Sequence, residues 1–338
     1  MVSQNIVFIE KNRAELLREE VPMPQAGQIL VQLCVSSISS GTERAGITGS
    51  TSVAWNRPQS PEARFPRRGG YSAAGIVRQV GEGVTRFSVG DPVALWWSYH
   101  NQFITVSEKN AALIRDIAFE DAALFHIATF PLAAIRKCRL EIGESAIVMG
   151  MGILGILALQ LLKAAGAVPI VAVDPDPAKR KKALRCGADY AFDPYDPQFA
   201  QTVKQVTDGG ANVGIEVTGI GAGLDGILDC MALKGRVALL GCTRDSDFTI
   251  DYYRKVHGPG ITLIGAHTMA RPRHESRDGW WTQEDDIRTL KRLTRLGRLK
   301  LSAIVDETHS PAQCVEVYDR LVNDKTFPMV QFDWRTLE

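Results

Sequence analysis

The apolar run Ile6-Val7-Phe8-Ile9, the break at Pro22-Met23-Pro24 and the run Ile29-Leu30-Val31-Gln32-Leu33 make residues 1–35 read as β structure. Residues 70–106 read the same way. Gly75-Ile76-Val77 leads into the turn Gly81-Glu82-Gly83, and Val89-Gly90-Asp91 precedes Pro92-Val93-Ala94-Leu95. Short strands broken by Gly and Asp turns predict a small barrel or sandwich. The rhythm changes at residue 120. Glu120–Lys137 is predicted helical, and five strands follow: Ser145–Met149, Pro169–Val173, Val213–Val217, Arg236–Leu240 and Ile261–Ile264. Helical stretches alternate with them, a βαβ series that implies a parallel sheet. Beyond residue 283, helices over Glu284–Leu296 and Pro311–Val322 flank a strand near Ala303–Val305, and a last strand covers Met329–Phe332. No internal repeat and no low-complexity segment interrupts this plan.

Composition narrows the class. The 338 residues suggest two domains, and 45% hydrophobic against 23% charged residues is ordinary globular usage. Lys+Arg number 39 against 38 Asp+Glu, a net charge of +1 without charge runs, so neither nucleic acid nor an acidic membrane surface is expected as a partner. The N-terminus has no basic start followed by a long apolar run, so no signal peptide is read there and a cytoplasmic location is expected. Cys34, Cys138, Cys186, Cys230, Cys242 and Cys314 stand singly, with no C-x-x-C, and are expected as buried apolar residues.

The longest apolar stretch, Ala146 to Leu162, carries the chemistry. Ala146-Ile147-Val148-Met149 reads as a buried strand, Gly150-Met151-Gly152-Ile153-Leu154-Gly155 follows, and Ile156–Ala165 reads as an apolar helix. This is G-x-G-x-x-G in strand–turn–helix context. Gly150 permits the tight turn, Gly152 lets a pyrophosphate approach the backbone, and Gly155 allows close helix–strand packing. The helix N-terminus offers its free N–H groups to phosphate. The next strand, Ile170–Val173, ends in Asp174. A carboxylate there accepts both adenosine ribose hydroxyls and repels a 2′-phosphate, which predicts NAD over NADP. Gly81-Glu82-Gly83 has no helix after it and is a turn.

With these features the chain resembles the medium-chain dehydrogenase/reductase superfamily, the zinc alcohol and polyol dehydrogenases and their relatives. Gly75-Ile76-Val77, Val80-Gly81-Glu82-Gly83-Val84 and Gly90-Asp91-Pro92-Val93 are similar to that family's GroES-like barrel. Ser40-Gly41-Thr42-Glu43 with Gly49 resembles its C-G-T-D…G, Gly235-Arg236-Val237 before Leu240-Gly241 its strand beside the nicotinamide, and Gly265-Ala266-His267 the segment that holds the carboxamide. The implied fold is α/β, a GroES-like β-barrel catalytic domain (1–126 and 268–338) plus a doubly wound Rossmann NAD-binding domain (127–267). The resemblance implies cofactor contacts from Thr129, Gly150, Gly152, Ile153, Leu154, Gly155, Asp174, Lys179, Thr218, Leu240, Cys242, Ala266 and His267. Lys179 is either near the adenosine or a solvated helix charge. A basic residue common in relatives is replaced by Pro328. Pairing of the last strands of the sheet implies a homodimer or homotetramer.

The metal positions depart from the pattern. Where zinc relatives carry Cys, the His of G-H-E and a third Cys or acid, this chain has Ser40, then Tyr71 and Ser72, then Phe125. None is an ordinary zinc ligand. Residues 86–112 lack the cysteines of the structural-zinc lobe. A zinc-free member is expected, the residual alternative being a rebuilt site from Glu43, His126 or His100. Something must then replace the metal's polarisation of the alcohol. Tyr71 is the candidate acid/base or else a space-filling ring, Thr42 a proton relay or a helix cap, and His126 a base or a packed residue. Trp96, Trp97, Tyr99 and His100 either line a substrate cleft or pack under the barrel. The loop Thr268–Thr282, with Arg271, Arg273, His274, Arg277, Trp280 and Trp281, either grips a polyhydroxylated or anionic small molecule or is a solvated loop or subunit contact.

The leading expectation is NAD-dependent interconversion of a secondary alcohol and ketone on a sugar, polyol or cyclitol-like substrate. Ile38–Glu43 and Asp333-Trp334-Arg335 also resemble segments of bacteriochlorophyllide dehydrogenases. A zinc-free quinone or enoyl reductase and a non-catalytic NAD-binding protein are the remaining readings; Asp174 argues against the NADPH-preferring reductases.

Overall fold

The computed structural model describes residues 1–51, 64–244 and 248–337. They divide into two compact units, residues 1–127 with 300–338, and residues 128–299.

The first unit is built on antiparallel β structure. Val2–Glu10 pairs with Arg13–Glu20 on one side and Arg67–Arg68 on the other. A larger sheet runs Glu307–His309, Val330–Asp333, Gln28–Ser37, Ser72–Val80, Pro92–Trp96 and Ala111–Leu113, with Phe103–Ser107 also pairing with Gln28–Ser37. Its strands bury nearly every residue of Gln28–Ser37, so that strand reads as a continuous apolar run rather than an alternating one. Ile6, Phe8, Val31, Leu33, Leu95, Tyr318, Phe332 and Trp334 form one apolar core. Gly81–Gly83 is a turn, with Gly83 at φ +73°.

The second unit is a six-stranded parallel sheet. Its order is Tyr190–Phe192, Ile170–Val173, Ala146–Met149, Ala211–Glu216, Met231–Leu239, Thr262–Gly265. The order reverses beside Ala146–Met149, the switch point outside which doubly wound sheets bind ligands. Ile153–Ala165 is apolar almost all round and ends at Gly166 in the left-handed conformation, φ +90°.

Four sequence expectations need correction. The predicted helix Glu120–Lys137 is two helices, Phe119–Ala122 and Phe125–Lys137, the second with Pro131 inside it. The strand expected near Ala303–Val305 is a 3-10 turn, Ser302–Ile304, held by the Ser302 N–H on Asp121 Oδ1 at 2.6 Å; the strand comes later, at Glu307–His309, where Val330–Phe332 offers a parallel partner. Residues 268–299, expected with the catalytic domain, belong to the central unit. Asp286, on the helix Gln283–Arg295, is fully buried there between Arg136 at 2.9 Å and Arg271 at 3.3 Å. Cys34, Cys138, Cys230 and Cys314 are buried as expected, but Cys186 is half-buried and Cys242 exposed.

Candidate active site

In the central unit the glycine loop leaves Met149 and enters the helix Ile153–Ala165. Gly150 takes φ +102°, a turn that a side chain would strain. A Cβ on Gly155 would lie 1.9 Å from the Gly150 carbonyl, which is why helix and strand can approach only through glycine. Gly152 differs. It is the exposed N-cap of the helix, its φ of −75° suits any residue, and a Cβ there meets nothing within 4 Å. No side chain caps this end, so the first-turn N–H groups of Ile153, Leu154 and Gly155 are offered to an anion. Gly152→Ala should therefore fold with unchanged melting temperature yet bind NAD about tenfold more weakly, about the 1.4 kcal/mol expected of one obstructed phosphate contact. Isothermal titration alongside a melt checks this; unchanged NAD affinity would clear the space over Gly152 of any phosphate.

Asp174 closes the loop from the neighbouring strand. It is 6% exposed; Oδ2 accepts the Met151 N–H at 2.8 Å and Oδ1 the Asp176 N–H at 2.9 Å. Each oxygen retains a further lone pair for a ribose hydroxyl. Arg180 braces the turn, donating to the carbonyls of Asp174 and Pro175 and to Asp193 Oδ2. Lys179 is half-buried on the same helix, Pro177–Cys186.

At the end of Ala211–Glu216 sits a group that the sequence reading missed. Glu216 is buried and accepts the N–H of Thr218 at 2.7 Å, the Thr218 hydroxyl, and the N–H of Gly219 at 3.2 Å. Burial pushes its carboxyl above the usual range, and the Thr218 and Gly219 donors oppose that shift. The Thr218 hydroxyl is thus turned onto Glu216. An acid at the carboxyl end of a central strand was the available signal. Leu240 is buried and donates to Glu216 O at 2.9 Å, and Ala266 is buried and donates to Leu239 O at 3.1 Å. Cys242 is exposed. His267 Nδ1 accepts the Met269 N–H at 3.2 Å; desolvation, then the Lys137 charge, hold its imidazole below the usual range. Thr129 is fully buried, its Oγ1 3.4 Å from Gln283 Oε1.

The loop Thr268–Thr282 is partly structural. Arg271 is committed to Asp286 and the Thr129 carbonyl, Trp281 lies under Arg136 at 3.5 Å, and Trp280 lies under Lys137 at 4.7 Å. Arg273, His274 and Arg277 are exposed.

The first unit gathers Tyr71, His126 and Trp97. The rings of Tyr71 and His126 meet edge to face at 5.5 Å, those of Trp97 and His126 at 4.6 Å. Trp97 holds φ +61°, rare for a bulky residue, and stays 45% exposed. The Tyr71 hydroxyl donates to Ser39 Oγ. Thr42 is half-buried as the third residue of the helix Ser40–Ile47, whose cap is Ser39, so Thr42 is not the helix cap.

At the positions where the resembled zinc enzymes carry ligands, Ser40 opens a helix, Tyr71 serves Ser39, and Phe125 is fully buried. Among the described residues no group of three His, Cys, Asp or Glu side chains is placed to hold a metal ion. This donor set does not fit zinc, which takes thiolate, imidazole or carboxylate.

Two family models match the chain: "Alcohol dehydrogenase GroES-like domain" over residues 26–117 and "Zinc-binding dehydrogenase" over residues 154–280. The chain is 27% identical to an L-threonine 3-dehydrogenase of Pyrococcus horikoshii, covering 90% of this chain and 91% of that protein. It is 24% identical to the D-guloside 3-dehydrogenase of Escherichia coli strain K12, over 75% of this chain and 73% of that one. The crystal structure of 2R,3R-butanediol dehydrogenase from Bacillus subtilis superposes with a TM-score of 0.82 at 20% identity, covering 98% and 99% of the two chains. The chain belongs to the medium-chain dehydrogenase/reductase superfamily, alcohol dehydrogenase-like oxidoreductases acting on CH–OH groups, with the GroES-like and Rossmann domains of that fold.

Proposed function

We propose that this enzyme interconverts a secondary alcohol and its ketone with NAD(H), without zinc, on a sugar, polyol or cyclitol-like substrate. The observation that carries the cofactor choice is Asp174, a buried carboxylate tied to the glycine loop at 2.8 Å beside an uncapped helix N-terminus. Bound nicotinamide supplies the hydride acceptor or donor. Tyr71 exchanges the hydroxyl proton, held on Ser39 and edge-on to the His126 ring. The named relative acting on a D-guloside, a sugar ring, supports the substrate class. A screen of sugars, polyols and cyclitols with NAD and NADP, followed by absorbance of the reduced nicotinamide, tests the reading. Turnover only of large apolar alcohols would favour the bacteriochlorophyllide-type alternative, turnover only of quinones or enoyl compounds with NADPH the reductase alternative, and none with any panel member a non-catalytic NAD-binding protein.

The donor set at Ser40, Tyr71 and Phe125 supports the zinc-independent reading. Purified protein should carry far less than one zinc per chain, and chelators should leave turnover intact. Stoichiometric zinc whose removal abolishes activity would end the proposal.

The strand Thr262–Gly265 is an edge of the parallel sheet. Self-pairing of such an edge about a two-fold axis covers its free N–H and C=O groups, so a homodimer or homotetramer is expected. Sedimentation showing only monomer at micromolar concentration would remove this idea. Among the described residues no helix is long and apolar enough to cross a membrane.

A further inference from the structure

Glu43 and His100, which the proposed proton transfer does not use, sit at the centre of a buried polar network in the first unit. Glu43 and His100 are 2% and 0% exposed, with His100 Nε2 3.0 Å from Glu43 Oε2. The same oxygen accepts the Tyr318 hydroxyl at 2.5 Å, and Oε1 accepts the Ser39 N–H at 2.8 Å. Burial, then the Glu43 charge, push the Tyr318 phenol well above its usual range, so it remains a donor. On the far side His100 Nδ1 lies 2.7 Å from Ser36 Oγ, which also accepts the Trp334 indole N–H at 2.8 Å. Trp334 can only donate. Every member is satisfied when Ser36 gives its proton to Nδ1 and His100 gives its Nε2–H to Glu43.

The pair reaches Tyr71 from both ends. At the hydroxyl end, Ser39 Oγ accepts a hydrogen bond from the Tyr71 O–H, and the Ser39 backbone is fixed by Glu43. Ser39 caps the helix Ser40–Ile47 by position but makes no side-chain cap bond, so its hydroxyl is directed to Tyr71 instead. At the backbone end, the two residues before Tyr71 run against the pair. The His100 N–H donates to the Gly69 carbonyl at 3.2 Å. A Cβ on Gly70, at φ +82°, would lie 2.7 Å from His100 Cδ2, and one on Gly69 3.2 Å from Glu43 Oε2.

We propose that the buried Glu43–His100 pair is the positioning device for the Tyr71 hydroxyl, setting its turnover without touching substrate or cofactor. The proposal rests on Tyr71 as the acid/base group. The test is a double-mutant cycle on the polyol that the unmodified protein turns over best. Glu43→Gln keeps an oxygen for the Ser39 N–H but sets an amide donor against the His100 N–H. It should lower kcat by about 10²-fold, the cost of misplacing a reacting group by about 1 Å, with KM and NAD affinity unchanged. In the Tyr71→Phe background the same substitution should have no further effect. An equal fall in both backgrounds would make the pair merely structural and overturn the proposal while leaving the Tyr71 reading intact. Normal turnover of Tyr71→Phe alone would overturn both. If Glu43→Gln fails to fold, His100→Gln enters the same cycle, with the same outcomes deciding.

Discussion

Tyr71→Phe is expected to lower turnover by about 10²-fold or more, the usual contribution of a positioned acid/base group, with NAD affinity unchanged. A tyrosine's ordinary pKa of about 10 keeps its proton near neutrality, so it needs a neighbouring positive charge or hydrogen bond to give that proton up. In the structure Tyr71 is anchored at its hydroxyl, which donates to Ser39, and at its backbone carbonyl, which accepts the Trp97 N–H at 2.9 Å. Phenylalanine preserves the edge-to-face packing on His126 and removes only the hydroxyl. A normal kcat in single-turnover and steady-state measurements would make Tyr71 a filler and shift the search to His126 and Thr42.

The second large effect concerns cofactor choice. Unmodified protein should bind NAD far better than NADP, and Asp174→Ala should narrow the gap. Two charge-assisted hydrogen bonds to a ribose are lost, each worth about 1.5–3 kcal/mol, while the repulsion of a 2′-phosphate disappears. Part of the loss comes through the loop itself, because the Met151 N–H gives up its 2.8 Å acceptor. Asp174→Asn separates the two: it keeps an acceptor for Met151 but removes the charge, so NADP should gain while NAD loses less than in Asp174→Ala. Equal affinities of the unmodified protein for both dinucleotides, by titration of protein fluorescence, would refute the role of Asp174.

The strand–loop–helix unit of the central sheet was legible because its parts are neighbours in the chain. Strand, Gly150–Gly155 loop, helix and Asp174 follow within one βαβ unit, and each residue's backbone requirement leaves a residue-type signature: glycine at the tight turn and close approach, an acid at the strand's end. Asp174 also shows what such a signature omits. Its ties to Met151 and Asp176 depend on where two adjacent strands end.

The return point of the chain was less legible. Helix Gln283–Arg295 has the periodicity of any amphipathic helix, and nothing in its own pattern says which unit buries it. The choice rests on Asp286 meeting Arg136 and Arg271, pairings that burial makes obligatory and local sequence does not encode. The loop Trp280-Trp281 was open to two readings for the same reason, since a tryptophan beside arginines is compatible with a ligand or with a stacked cation until the cation is located.

The barrel cluster lies furthest from local pattern. Tyr71 stood out in the sequence only because it replaces a histidine in a resembled motif, and Glu43 and His100 appeared there as remote metal candidates. Their actual relation, a buried pair closed by Tyr318 and Ser36, joins residues up to 298 positions apart. Local order and periodicity specify strands, turns and the helix N-terminus, because backbone hydrogen bonding and side-chain alternation act over a few residues. The partners of a buried polar group come instead from the packing of distant segments, and the requirement that each such group be satisfied takes effect only once those segments meet.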